Sequence, residues 1–195
     1  SRQVHEEVPF KGTENLFPGI LSDQGAWFGL TLADSGKLGI ASPLILSDSN
    51  GYYLHDDLVL FEVFEDGEFI EWQVENISLP GRLVQRGTFE NLSIEITTLF
   101  SDHQTAIIRY TLSNYGGSPV TVSVKRFTKG DGEPDERKHV IDLNNALLSI
   151  ERSLQAPLLC LAELDSYTGY ITIRHTFSEE AFLPGIQSED IDALY

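Results

Sequence analysis

The sequence predicts an all-β protein, an antiparallel β-sandwich of two packed sheets, on three observations. Apolar and polar residues alternate with period two through most of the chain after Trp27, as in Phe69-Ile70-Glu71-Trp72-Gln73-Val74, Leu92-Ser93-Ile94-Glu95-Ile96 and Val120-Thr121-Val122-Ser123-Val124. That is how strands with one buried face read. Turn-forming residues interrupt the alternation at short intervals, and helical periodicity is nearly absent. The one helical candidate is the acidic stretch 188–194, which has Ser188 as a cap but too few apolar anchors.

Strands are predicted over residues 26–32, 37–46, 52–64, 69–79, 82–89, 92–100, 105–114, 120–127, 139–152, 158–164 and 170–177. The first opens at Trp27, after Asp23-Gln24-Gly25-Ala26. Ser47-Asp48-Ser49-Asn50-Gly51 separates the second from the third. The next hairpin carries Glu65-Asp66-Gly67-Glu68, whose Asp-Gly pair tolerates the positive φ of a two-residue turn. Asn114-Tyr115-Gly116-Gly117 and Leu143-Asn144-Asn145-Ala146 are turns of the same kind. Residues 125–139 are charged and hold Gly130, Gly132 and Pro134, which predicts a long exposed loop. Residues 1–24, with Pro9, Gly12, Pro18 and Gly19 and little periodicity, are expected to run along the domain edge. So many strands joined by short turns make a meander folded into two layers.

A length of 195 residues suits a single domain spanning 1–195 with a sizeable core, and a hydrophobic share of 41% belongs to a folded chain. Thirteen Lys and Arg against 30 Asp and Glu leave a net charge of -17. A field of that sign repels phosphate backbones and anionic headgroups, which argues against nucleic acid and membrane as partners, and it leaves a neutral sugar unaffected. Cys160, the single cysteine, excludes an internal disulfide, and its apolar neighbours Leu158, Leu159 and Leu161 predict a buried, inert thiol. There is no apolar run of transmembrane length and no signal-peptide pattern at the start. With Ser1 at the start and no methionine, the chain reads as trimmed at both ends, and any export signal as removed.

Few residues form a chemical constellation. His5, His55, His103, His139 and His175 stand singly, without metal-ligand spacing, so no metal site and no cofactor are predicted. His55-Asp56-Asp57 reads as a solvated strand entry, and the carboxylates Asp131, Glu133, Asp135 and Glu136 lack calcium-loop spacing. Nucleophile-elbow, phosphate-loop and kinase signatures are absent. In a chain so acidic, no carboxylate pair stands out as acid and base, so no catalytic residue is predicted. Asn76-Ile77-Ser78 and Asn91-Leu92-Ser93 match the glycosylation sequon, a pattern frequent by chance.

Aromatic residues say more, because a pyranose ring packs its C–H face on a flat aromatic flanked by hydrogen-bonding groups. Trp72 and Phe69 lie in clean alternation and read as core. Trp27 lies at the mouth of the first strand, beside Asp23 and Gln24, and Tyr52-Tyr53 follows a turn that points at least one ring outward. Asp23, Gln24, Trp27, Tyr52 and Tyr53 are therefore the candidate substrate contacts.

Three segments carry a family resemblance: Asp23-Gln24-Gly25-Ala26-Trp27-Phe28-Gly29, Ser78-Leu79-Pro80-Gly81-Arg82-Leu83-Val84-Gln85 and Leu92-Ser93-Ile94-Glu95-Ile96-Thr97-Thr98-Leu99-Phe100. In sequence and order they resemble the N-terminal domain of bacterial glycoside hydrolase family 63 α-glucosidases, relatives of the processing mannosyl-oligosaccharide glucosidases. The resemblance covers about residues 15–127. Phe28 departs from the pattern, since relatives carry histidine there. The resemblance implies a β-supersandwich, with the general acid and base in a following (α/α)6 barrel that these 195 residues do not contain. It also implies inversion at an α-linked glucose, with this domain supplying a wall of the substrate pocket. The partners so implied are the catalytic barrel and α-linked glucosides or oligosaccharides, and the location is periplasmic or extracellular. The alternative is a free-standing carbohydrate-binding or adhesin-like sandwich. A third reading is a structural domain that interacts through strand edges.

Overall fold

The computed structural model describes residues 3–5, 20–22, 28–33, 36–46, 51–52, 57–125, 138–142, 147–152 and 158–176, in some strands by backbone alone. The strands in chain order are β1 (Gln3–His5), β2 (Ile20–Ser22), β3 (Phe28–Leu32), β4 (Gly39–Leu46), β5 (Gly51–Tyr52) and β6 (Asp57–Leu60). Then come β7 (Glu62–Glu65), β8 (Glu68–Phe69), β9 (Gln73–Leu79), β10 (Arg82–Phe89), β11 (Leu92–Asp102) and β12 (Thr105–Asn114). The last are β13 (Val120–Lys125), β14 (Lys138–Asp142), β15 (Leu147–Arg152), β16 (Leu158–Leu161) and β17 (Ser166–Thr176). No helix occurs among the described residues, and the stretch 188–194 lies outside them. The all-β, antiparallel prediction holds.

The strands form three antiparallel sheets. The largest has seven strands in the order β14-β15-β17-β12-β11-β10-β9. A six-stranded sheet runs β1-β2-β3-β4-β5, with β6 also on β4, and a four-stranded sheet runs β16-β13-β7-β8. One contiguous core draws on all three, for example Leu30 and Ile40 from the six-stranded sheet, Val63 and Val122 from the four-stranded one, and Ile96 and Ile108 from the largest. Phe28 meets Phe100 with ring centroids 4.9 Å apart, and Phe61 meets Tyr110 at 5.1 Å. The two smaller sheets thus face the seven-stranded one as a divided second layer.

This division is where the two-sheet expectation needs correcting. Residues 52–64 read as one strand, yet the chain leaves the ladder at Phe61, whose N–H donates to the Leu38 carbonyl at 2.8 Å while its ring is buried. β6 therefore ends in one sheet and β7 starts in another. The predicted strand 69–79 breaks similarly at Ile70 to Trp72, passing from β8 to β9 in the largest sheet. Ile70 stays tied to Val63 by its N–H, and Trp72 packs on the core as expected, whereas Phe69, also predicted as core, is 54% exposed on the edge strand β8 with its ring against Phe64. Period two reports which face is buried and is silent on which sheet the strand joins.

Turns follow their sequence. Asp66 and Gly67 take φ of 49° and 88°, which closes the β7–β8 hairpin with Glu65 opposite Glu68. Pro80 and Gly81 join β9 to β10, with Gly81 at φ 78°. Pro43, which cannot donate to a ladder, lies in β4 where the register with β3 shifts between Gly29 and Thr31. Asn114 is fully buried and holds the next turn through its amide: Nδ2 donates to the Ser118 and Ala162 carbonyls, at 2.8 and 3.0 Å, and Oδ1 accepts from the Gly116 N–H at 2.9 Å.

Gln85, on β10, bridges the layers. Its buried side chain accepts from the Gly39 N–H at 2.6 Å and donates to the Lys37 carbonyl at 2.8 Å and to Asn76 Oδ1 at 2.9 Å. In the N-terminal segment, Leu21 is fully buried in the core and β1 and β2 extend the six-stranded sheet, so this part does more than follow the edge. Cys160 is a further correction. β16 is an edge strand whose alternation buries Leu161 and turns Cys160 outward, so the thiol is exposed.

Candidate functional site

The predicted contacts Asp23, Gln24, Trp27 and Tyr53 lie outside the described residues, and Tyr52 is described by its backbone. What surrounds them is informative. Phe28, directly after Trp27, pairs with Ile45 on one side of β4, and Tyr52 pairs with the same Ile45 on the other. Two segments 24 residues apart in sequence (28 to 52) therefore reach one end of one sheet, two strand spacings apart, or about 10 Å. Phe28 itself points into the core, tilted against Phe100 and stacked on His175, so an apolar residue fits there.

A second location was not foreseen. On the face of the seven-stranded sheet turned away from the core, Leu99, Ile107 and Tyr170 form a separate buried cluster at one end. At the other end lies a groove of about 350 Å³ over β10, β11 and β12, lined by residues that include Arg86, Ser93, Glu95, Arg109, Thr111 and Tyr115. Register dictates this. Glu75, Arg86, Glu95, Thr111 and Thr168 form one row across five strands. Gln73, Thr88, Ser93, Ser113 and Ser166 form the next.

The side chains of these rows are tied together. Arg86 Nε donates to Glu95 Oε2 at 2.8 Å, and its terminal nitrogen stands 3.8 Å from Glu75. That pairing raises the affinity of the guanidinium for its proton above that of a free arginine. Thr111 and Thr168 share a hydrogen bond of 3.0 Å, and the Ser93 hydroxyl reaches the Tyr115 hydroxyl at 3.4 Å. The sequence did carry a signal: Ser93, Glu95 and Thr97, and opposite them Arg109, Thr111 and Ser113, occupy alternate positions of adjacent strands. Among the described residues no cluster of His, Cys, Asp and Glu is arranged to hold a metal ion.

The model of the N-terminal part of glucosidase YgjK matches residues 5–154. The chain belongs to the YgjK N-terminal family. The match spans the Trp27 and Tyr52 segments and the strands that build the groove. Among solved structures, the Slr1438 protein from Synechocystis sp. PCC 6803 is similar over 89% of this chain and 100% of that one, at 7% identity and a TM-score of 0.50. At that identity the likeness shows the fold of this YgjK N-terminal family member alone. A YidC insertase structure aligns over 82% of this chain and 36% of its own, with 12% identity and a TM-score of 0.31.

Proposed function

We propose that this chain is the non-catalytic N-terminal domain of an inverting α-glucosidase related to glycoside hydrolase family 63, acting in the periplasm or outside the cell. It packs on a catalytic (α/α)6 barrel and lends Asp23, Gln24, Trp27, Tyr52 and Tyr53 to one wall of the substrate pocket. The family match over residues 5–154 supports the glucosidase setting. The observation that carries the pocket wall is the pairing of Phe28 and Tyr52 with the same residue, Ile45, which draws the two candidate segments together.

In this reading the chemistry belongs to the barrel. Two carboxylates about 6.5–9.5 Å apart there admit the attacking water. The domain's part is recognition: flat rings against the C–H face of glucose, with Asp23 and Gln24 binding hydroxyls and excluding water. The test is steady-state kinetics of the complete enzyme on an α-glucoside. Trp27→Ala and Tyr53→Ala are expected to raise KM by about tenfold with kcat nearly unchanged, since a lost stacking contact is worth on the order of 1 kcal/mol or more. An unchanged KM in both variants would overturn the pocket-wall role.

A further inference from the structure

We propose that the groove over β10, β11 and β12 is a binding site for a neutral carbohydrate, with Tyr115 as the platform for a sugar ring and the Ser93, Thr111 and Ser113 hydroxyls and the Arg86–Glu95 pair as its hydrogen-bonding floor. This goes beyond the pocket wall and uses a different sheet, so it stands or falls independently of that reading.

Four observations carry it. The first is shape: a concavity of about 350 Å³ lies in the range of small-ligand sites and stands open to solvent on a rigid sheet. The second is Tyr115, which is 65% exposed although large and aromatic, and whose backbone is pinned. Its N–H donates to the Asn91 carbonyl at 2.8 Å, and buried Asn114 anchors the turn that follows. An exposed ring on a pinned backbone is costly in surface and useful for stacking on a C–H face.

The third is the floor. Two adjacent rows present hydroxyls and one charged pair at regular strand spacing, and a polyol that offers donors and acceptors side by side matches such a surface. The fourth is charge. Arg86 is engaged by Glu95 at 2.8 Å and approached by Glu75 at 3.8 Å, so its charge is compensated locally, and the chain as a whole carries -17. An anionic ligand would have to compete with those carboxylates.

The test is titration of the 195-residue chain with maltotriose and with a panel of other neutral oligosaccharides, read by isothermal calorimetry and by amide chemical shifts. Binding with a Kd of about 1 mM or tighter is expected, with shifts in β10, β11 and β12. Tyr115→Ala is expected to weaken it about tenfold or more and Tyr115→Phe to retain most of it, each with an unaltered melting midpoint. The proposal is overturned by an absence of binding across the panel, by binding indifferent to Tyr115→Ala, or by a response to inorganic phosphate or sulfate with none to the sugars. Because the amide shifts report β10, β11 and β12 while the pocket wall is read by KM of the complete enzyme, failure here leaves the pocket-wall kinetics unaffected, and the converse holds.

Discussion

The side chain of Gln85, in the seven-stranded sheet, accepts a hydrogen bond of 2.6 Å from the backbone N–H of Gly39, in the six-stranded sheet facing it. Both are buried, and the same amide also holds the Lys37 carbonyl and Asn76. Gly39 must be glycine, because a Cβ there would run into the Val59 carbonyl of the neighbouring strand. Gln85→Leu removes the partner of the buried Gly39 N–H and the bonds to the Lys37 carbonyl and Asn76. A loss of about 2–4 kcal/mol is expected, read as a lower urea midpoint at unchanged slope.

Gly169 and Tyr110 form the second such pair. Gly169 on β17 lies beneath the Tyr110 ring, which fills the space where a Cβ would be. Gly169→Ala should cost about 1–3 kcal/mol by overpacking. In a Tyr110→Leu background the same change should cost at least about 1 kcal/mol less, and a double-mutant cycle by chemical denaturation measures that coupling.

Two turns hold residues unsuited to them. Glu90 and the 77% exposed Leu164 have φ of 47° and 54°, a region that favours glycine. Glu90→Gly and Leu164→Gly should each raise stability by up to about 1 kcal/mol in thermal unfolding. Asp66→Gly, at φ 49°, should gain less, since aspartate tolerates that region better.

Much of this fold was legible in the sequence because period two dominates it. The predicted 82–89 and 105–114 coincide with β10 and β12, and the Asp66-Gly67 hairpin forms where expected. What the sequence hid was sheet membership. Phe61 and the Ile70 to Trp72 corner keep the alternation while moving the chain between sheets, because a side chain at a corner is as buried as one in a strand. The groove was hidden for a related reason. Glu95, Thr111 and Arg86 are unremarkable one strand at a time, and register alone puts them in one row. Cys160 misled through its leucine neighbours, of which only the pairing of an edge strand decides the facing.

The Arg86–Glu95 pair is exposed and should matter to ligand contact rather than to folding. Glu95→Gln is expected to move the melting temperature by no more than about 2 °C. The raised proton affinity of Arg86 adds stability that is complete below its unfolded-state pKa and is lost only as pH rises through the folded one. For arginine both lie in the strongly alkaline range, so Arg86 contributes no pH dependence between about pH 5 and 9. Melting of the wild type and of Arg86→Gln across that interval should give parallel curves.

The proposed role, a scaffold that recognises sugar while another domain does the chemistry, is tested most directly by assaying the 195-residue chain by itself for α-glucoside hydrolysis. No turnover above buffer is expected. Turnover that disappears when a carboxylate within residues 1–195 is changed to its amide would contradict it and place the reaction centre inside this domain.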